Sequence, residues 1–187
     1  MDGATWPLPD PFLVVATQNP VDMEGTYVLP EAQRDRFMAR ISMGYPDERA
    51  ERAMLRSHGR VDPIDRLESI LSTGALAALA AQARDVYVSP AVETYVLHII
   101  GATRNHSEVR LGASPRASLQ LLRAAKATAL IDGRDFVLPD DIDALAVDVL
   151  AHRLILRRTG VDVLEGQAAA ASRVIRQVVA STPVPLQ

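Results

Sequence analysis

Three arginines crowd one short segment of the sequence, in a pattern that suits phosphate chemistry. Arg34, Arg36 and Arg40 lie within LPEAQRDRFMAR. A guanidinium can donate to two phosphate oxygens at once, so such arginines stabilise the charge that develops during phosphoryl transfer. The alternative interpretation is a solvated basic face on a short helix, with Glu31 and Asp35 as its ion-pair partners.

Arg116 introduces a positive charge into the first turn of a predicted helix. Ser114 is typical of an N-cap, Pro115 of a first helical position, and Gly133 follows the last helical turn. The charge is unfavourable by about 0.3–1 kcal/mol, because the helix dipole is already positive at this end, unless an anion binds there. The alternatives are a solvated guanidinium and a pair with Glu108.

The segment VVATQNP ends in polar residues, directly after an apolar run that is typical of a buried parallel strand. In open α/β sheets, ligands bind beyond the carboxyl ends of such strands. The Asn19 amide both donates and accepts hydrogen bonds, so it is suited to orient a water and a phosphate oxygen together. The alternative is an Asn-Pro turn that closes the strand.

The elements that must position these residues are mainly helical. Helix formers dominate the chain, and aromatic residues make up only 4% of it. Helical spacing and capping residues predict helices over 31–37, 46–58, 72–85 and 89–106, from Ser114 onward, and over 138–154 and 165–181. The apolar run 12–16 and the segment 38–45 are predicted strands, and 61–71 is a predicted linker with a short extended piece.

Two helices carry apolar faces that are predicted to pack into a core. On helix 89–106 the face consists of Val92, Tyr95, Val96, Ile99 and Ile100. On the helix that Ser114 caps it consists of Leu119, Leu122, Ala125, Ala129 and Leu130. A solvated edge is predicted for Arg153, Arg157 and Arg158.

Composition and charge exclude several classes of protein. The chain has 187 residues, a formal net charge of −3 and no cysteine, which argues against a general nucleic-acid surface and excludes disulfides and thiolate metal sites. The four histidines have no metal-ligand spacing, so no metal site is expected. No apolar run approaches the ~20 residues of a membrane span, and no signal peptide is recognisable, so a cytoplasmic location is expected.

Two long blocks, in a fixed order, resemble the MoxR family of AAA+ ATPases. The first is PFLVVATQNPVDMEGTYVLPEAQRDRFMARISMGYP and the second is LGASPRASLQLLRAAKATALIDGRDFVLPDDI. The resemblance implies that Asn19 is sensor 1, Arg36 the arginine finger offered to a neighbouring subunit, and Arg116 the phosphate-contacting sensor 2 of the lid. Arg34 stands where the family usually has an apolar residue, so it is the alternative finger. Leu138 stands where the family often has a hydroxyl cap.

The same resemblance implies the fold class and the assembly. A mainly α chain is expected, with an AAA+ helical lid over 46–187 preceded over 1–45 by a remnant of a parallel α/β nucleotide-binding core. The full-length protein is expected to use ATP and Mg²⁺ in a homohexameric ring. It is further expected to remodel or mature partner complexes in a chaperone-like way, including metal insertion, often with von Willebrand A domain proteins.

Three hypotheses about function follow. The first is a C-terminal fragment of such an ATPase, because the sequence contains no G-x-x-x-x-G-K-[ST] motif and no Walker B segment; the chain alone is then not expected to hydrolyse ATP or to bind it tightly. The second is a stand-alone helical interaction module derived from a lid. The third is a nucleic-acid-binding helical domain that uses Arg116 and the 34–40 cluster, which the net charge disfavours.

Overall fold

The computed structural model describes residues 5–18, 29–57, 63–157 and 166–185. By compactness the chain divides into two units, one formed by 1–12 and 41–78 and the other by 13–40 and 79–187. The division between 45 and 46, expected from the family resemblance, stays a prediction. The candidate site residues that the structure describes, among them Arg34, Arg36 and Arg116, belong to the second unit.

Helices account for most of the described chain. They are α1 (Glu31–Arg34), α2 (Glu48–Ser57), α3 (Thr73–Asp85), α4 (Pro90–Asn105), α5 (Pro115–Ile131), α6 (Pro139–Leu150) and α7 (Gln167–Ser181), with 3-10 helices at Pro63–Arg66 and Ala151–Arg153. Two short strands, β1 (Val109–Leu111) and β2 (Ile155–Leu156), pair antiparallel. The mainly helical class predicted from composition is confirmed.

Helices α4 and α5 begin at the caps that the sequence predicts. Ser89 Oγ accepts the Val92 N–H and Ser114 Oγ accepts the Ala117 N–H, each at 3.3 Å, and a proline occupies the first helical position in both. Each hydroxyl satisfies one of the amides that a helix start leaves without an intrahelical acceptor. Gly133, with a φ of +75°, follows α5 in the left-handed conformation that glycine adopts without strain.

The core of the second unit lies between α4, α5, α6 and α7. All five residues of the predicted α4 face are buried, so that prediction is confirmed. The prediction for α5 is partly wrong, since Leu119 is 58% exposed. The buried face of α5 consists of Ala117, Leu121, Ala125 and Ala129. These residues recur at intervals of four. The alanines among them are small, so α6 packs closely against this face. Apolar periodicity alone does not show that the alanines, and not Leu119, face the core.

The two predicted strands of the amino-terminal part are wrong for this chain. Residues 12–16 and 38–45 are described, and neither segment is a strand. Leu13 and Val15 are 82% and 78% exposed, so the apolar run FLVVA is not buried. A strand is held by a ladder of backbone hydrogen bonds to a neighbouring strand, and no described strand pairs with either of these segments.

The small sheet lies next to the start of α5 and includes a close backbone approach. Gly112 follows β1, and a Cβ at this position would lie 2.7 Å from the Arg104 backbone of α4, so only glycine fits. Arg104 Nε donates to the Ala113 carbonyl at 2.9 Å, and Thr103 Oγ1 accepts the Ala113 N–H at 3.1 Å. These contacts fix the chain directly before Ser114.

The first unit contains α2 and the 3-10 helix Pro63–Arg66, which replaces the extended piece predicted in the linker 61–71. Large apolar side chains of this unit are strongly exposed, among them Trp6, Met43, Tyr45 and Ile70.

Within the part of the chain that the structure describes, no helix combines the length and apolar character needed to cross a bilayer.

Candidate functional site

The predicted arginine finger, Arg36, lies in an exposed turn directly after α1. Its N–H donates to Gln33 O at 3.1 Å, and no described residue pairs with its guanidinium. Arg34, by contrast, is half-buried, and its Nε is shielded from solvent without a hydrogen-bond partner among the described residues. Of the two, Arg36 is therefore the one whose guanidinium is open to an external phosphate.

Arg116 is exposed in the first turn of α5, the position predicted for it. Within the described ranges no hydrogen bond or ion pair engages its guanidinium. The alternative partner, Glu108, forms a bidentate pair with Arg173 of α7, with Nη2 to Oε2 at 2.8 Å and Nη1 to Oε1 at 3.1 Å. The unfavourable charge at the start of α5 is thus not offset by Glu108.

Three other residues that the sequence analysis names are Asn19, Arg40 and Glu31. Asn19, predicted as sensor 1, lies outside the described residues. Arg40 is exposed, and its backbone N–H donates to Asp148 O at 2.9 Å. Glu31 lies 3.7 Å from the Arg110 guanidinium on β1, so this acid has a partner other than the neighbouring arginines.

Asp35 connects the turn after α1 to the start of α5. Its carboxylate accepts the Ser114 hydroxyl at 3.0 Å and Arg153 Nη1 at 2.8 Å. Ser114 is also the N-cap of α5, so one hydroxyl donates to the turn and accepts from the helix. The alternative interpretation, in which Asp35 pairs with its neighbouring arginines, is therefore wrong, because Arg153 binds this carboxylate instead.

Arg153 lies at the end of the 3-10 helix that follows α6, and its side chain is only 1% exposed. The predicted solvated edge is wrong at this residue. Its guanidinium donates to the carbonyls of Asp35 and Phe37, at 2.6 and 2.5 Å, as well as to the Asp35 carboxylate. Nη2 also donates to Gln120 Oε1 of α5. These bonds hold the turn that follows α1.

The other members of the predicted edge differ from Arg153. Arg157 is exposed, as predicted, and its Nε donates to Val109 O of β1 at 3.3 Å. Arg158 lies outside the described residues.

The Arg116 guanidinium is close enough to Arg153 to affect its pKa. Burial lowers the pKa of the Arg153 guanidinium, the Asp35 carboxylate opposes that shift, and the nearby positive charge of Arg116 reinforces it. An arginine remains charged in spite of such a shift. Asp35 is already bound by Arg153 and Ser114, so the Arg116 charge has no carboxylate of its own among the described residues.

His152 lies beside Arg153 and is also buried. Its Nε2 lies 3.3 Å from Phe37 O, and Nδ1 has no partner within the described part of the chain. Burial lowers the pKa of this imidazole, and the Arg153 charge lowers it further, so the ring is neutral at pH 7. His98 is exposed and His106 half-buried, while His58 lies outside the described residues.

Sequence reasoning missed Asp35, Ser114 and Arg153 as a connected group. Ser114 and Asp35 were each given local roles, a cap and a surface partner, and Arg153 was assigned to solvent. Nothing in the local spacing identifies a partner 118 positions away.

A separate apolar groove of about 640 Å³ lies where Tyr87 and Phe136 form an isolated parallel bridge. Val137 and Pro139 also line it, whereas Asp35, Arg36, Arg116 and Arg153 do not. Among the described residues no group of three or more histidine or acidic side chains could hold a metal ion. Exposed guanidinium groups such as those of Arg36 and Arg116 are suited to bind anions, whereas the described residues offer Mg²⁺ no such ligand set.

Two protein families match different parts of the chain. The AAA lid domain matches residues 101–174, and the ATPase family associated with various cellular activities (AAA) matches residues 1–39. The first match includes Ser114, Arg116 and Arg153, and the second includes Asp35 and Arg36. The hydrogen bonds of Asp35 therefore join the two matched regions.

Several known proteins are similar to the chain over most or all of its length. The uncharacterized protein YeaC of Bacillus subtilis is 41% identical over 100% of this chain and 57% of its own. Chaperone MoxR1 of Mycobacterium tuberculosis is 45% identical over 82% of this chain and 43% of its own, and MoxR of Paracoccus denitrificans is 33% identical over 76% and 48%. The chain thus spans about half the length of the curated relatives it matches.

A solved structure has the same fold. The crystal structure of a candidate ATPase from Cytophaga hutchinsonii superposes with a TM-score of 0.85 at 36% sequence identity. The match covers 100% of this chain and 58% of that one.

Proposed function

Because this chain belongs to the MoxR family of AAA+ ATPases, we propose that it supplies the lid and the arginine-finger turn of an ATP-hydrolysing, chaperone-like machine. The observation that carries the proposal is the position of Asp35. Its carboxylate binds the Ser114 cap, so the turn that presents Arg36 and the helix end that presents Arg116 meet at one residue. Arg36 follows Asp35 directly and Arg116 lies two residues after Ser114, and both exposed guanidinium groups are suited to bind phosphate oxygens.

The roles proposed for the individual residues follow the family. Arg36 acts as the arginine finger, where it stabilises charge on the transferred phosphoryl group of a neighbouring subunit. Arg116 acts as sensor 2 and binds phosphate oxygens, which removes the conflict between its charge and the dipole of α5. Asn19 acts as sensor 1 and orients the attacking water. The burial of Arg34 supports Arg36 rather than Arg34 as the finger.

ATP and Mg²⁺ enter this proposal as ligands of the full-length protein. Mg²⁺ neutralises phosphate charge when it is bound, and the phosphate-binding loop and the metal ligands are assigned to a segment other than this chain. The exposed guanidinium groups of Arg36 and Arg116 fit the phosphate part of such a ligand. This chain by itself is expected to bind nucleotide weakly and to hydrolyse none.

The proposed machine is a homohexameric ring in the cytoplasm, with nucleotide bound between subunits. Met43, Tyr45 and Ile70 in the first unit are strongly exposed and leave apolar side chains that a neighbouring subunit could cover. In keeping with the family, the proposed partners are proteins with von Willebrand A domains. The proposed work is remodelling or maturation of partner complexes, including insertion of metal.

The proposal is tested by comparing ATP turnover of this chain alone with turnover of a protein in which the chain follows a complete AAA core. The expected result is no turnover above background for the chain alone and a rate of about 1 s⁻¹ or more when the core is present. Ordinary enzymatic turnover by the chain alone contradicts the proposal. A folded joined protein that neither binds nor hydrolyses ATP contradicts it as well, and favours a lid-derived interaction module.

A further inference from the structure

We propose that Arg153 is a positioning residue, which fixes the turn carrying Arg36 against the start of the helix that carries Arg116. The inference deepens the proposed function and rests on it, since it concerns how two phosphate-directed arginines are held. It assigns no contact with substrate to Arg153. The side chain is 1% exposed and every nitrogen of its guanidinium donates a hydrogen bond, so it has no capacity left for a ligand.

Arg153 holds the turn that carries Arg36 by hydrogen bonds to the residues on both sides of it. Nη1 of Arg153 donates to both the backbone carbonyl and the carboxylate of Asp35, and Nη2 donates to Phe37 O. These acceptors lie on both sides of Arg36 in the sequence. A turn fastened on both sides of one residue restricts the backbone from which that side chain extends.

The Arg153 side chain is itself held in place by hydrogen bonds to α6 and α5. Nε of Arg153 donates to Val149 O of α6 at 2.7 Å, which holds the side chain against its own helix. Nη2 also donates to Gln120 Oε1 of α5. A planar guanidinium serves these acceptors simultaneously through its fixed fork of donors, whereas a lysine ammonium presents a single point of charge.

The turn is also connected to the start of α5, through Asp35 and Ser114. The Asp35 carboxylate that binds Arg153 also accepts the Ser114 hydroxyl, which in turn caps α5. Displacement of the turn therefore breaks a contact at the helix end next to Arg116. A group of hydrogen bonds with shared members of this kind behaves as a coupled unit, in which single substitutions are not additive.

The first experiment measures hydrogen exchange of the chain as it stands, in the wild type, Arg153→Lys and Asp35→Asn. Amides of residues 35–40 are expected to exchange about tenfold faster in both variants, while amides of α4 and α7 keep their protection. Arg176→Lys, at an exposed position on α7, is the matched control and is expected to match the wild type. Unchanged exchange at residues 35–40 in both variants overturns the proposal. A uniform loss of protection across the chain in both variants overturns it as well, because it shows that Arg153 and Asp35 stabilise the whole fold and not the turn in particular.

The second experiment measures steady-state ATP turnover in the protein that carries the AAA core. Arg153→Lys and Asp35→Asn are each expected to lower kcat about tenfold and to change KM for ATP by less than about twofold. The double variant is expected to be no slower than the slower single variant, because both act through one contact. Arg176→Lys again serves as the control.

The two experiments separate the inference from the function on which it rests. If the wild-type protein has no turnover at all, the proposed function fails, while the exchange result still decides whether Arg153 fixes the turn. If turnover is normal in Arg153→Lys although exchange at 35–40 is faster, the proposed function stands and the positioning role is overturned. Multiplicative effects in the double variant also overturn it, since they show two independent contacts.

Discussion

The Arg153 guanidinium donates to the Asp35 carboxylate at 2.8 Å, across 118 positions of the sequence. The arginine belongs to the region that matches the AAA lid domain, and the aspartate to the region that matches the AAA ATPase family. Since the arginine side chain is buried, this pair is screened by solvent far less than a surface ion pair. It ties a short turn with little core of its own to the helical bundle.

Arg36→Ala is predicted to abolish ATP hydrolysis while leaving nucleotide binding nearly intact. An arginine finger acts on charge that develops in the transition state, so its loss lowers kcat by about 10³-fold or more without a matching loss of affinity. The measurement is steady-state turnover together with binding of a fluorescent ATP analogue, in the protein with its AAA core. Arg34→Ala is the matched variant, and a larger loss of kcat from Arg34→Ala than from Arg36→Ala reverses the assignment.

Arg116→Ala is predicted to weaken nucleotide binding or turnover in the same protein. The guanidinium lies at the positive end of α5, where it and the helix amides attract phosphate together, and its removal lowers affinity by about tenfold. Arg123→Ala, at an exposed position on the same helix, is the control for a general loss of positive charge. Equal behaviour of the two variants in both assays rejects a sensor role for Arg116.

His152 is predicted to make the stability of the chain fall as the pH drops below about 6.5. Its pKa is lowered in the folded state from the ordinary value of 6.5, so the unfolded chain binds more protons in this range. The free energy of unfolding therefore rises with pH up to about 6.5, and the contribution of this group then levels off. Urea denaturation of His152→Gln between pH 5 and 8 is expected to show a smaller slope than the wild type.

The exposed His98 supplies the control for this pH dependence, since His98→Gln removes a histidine without removing a buried one. The same slope in His152→Gln and in the wild type assigns the pH dependence to other groups.

Asp141 is predicted to stabilise the start of α6 at neutral pH and to lose that contribution in acid. Arg134 donates to both carboxylate oxygens, at 2.7 and 2.8 Å, and lowers the pKa of Asp141 below 3.8. The stabilisation is complete above the unfolded value of 3.8 and is lost as the pH falls through the lower folded value. Asp141→Asn is expected to lower the free energy of unfolding by about 1–3 kcal/mol at pH 7.

The measurement for Asp141 is chemical denaturation at pH 7 and at pH 2, with Asp140→Asn as the exposed neighbouring control. The difference between the wild type and Asp141→Asn is expected to shrink at the lower pH. A difference of equal size at both pH values contradicts the ion-pair explanation.

The start of α6 also shows how the structure compensates for a poor cap. Leu138 has no side-chain oxygen, and the sequence predicts a weak helix start at this position. The Asp141 carboxylate accepts the Leu138 N–H at 2.8 Å, which is one half of a capping box. The sequence contains the aspartate at the required spacing, so this feature was accessible to sequence reasoning once the third helical position was considered.

The sequence by itself determined the local features of this protein: helix starts at Ser89 and Ser114, the left-handed residue Gly133 after α5, and the buried face of α4. Each depends on residues within one or two turns of each other, where capping geometry and helical periodicity operate. The order of the two family-like blocks also identified the family. None of this required knowledge of which segments lie side by side.

Only the tertiary structure decided what the distant residues do. FLVVA has the composition of a buried strand, yet a strand depends on a neighbour that composition does not provide. Arg153 lies in the basic segment HRLILRR, which is typical of a solvated edge, yet its side chain is buried and three acceptors from residues 35–37 bind it. Burial of a charge is stable only when its partners are present, and whether they are present is a property of how the chain folds back on itself.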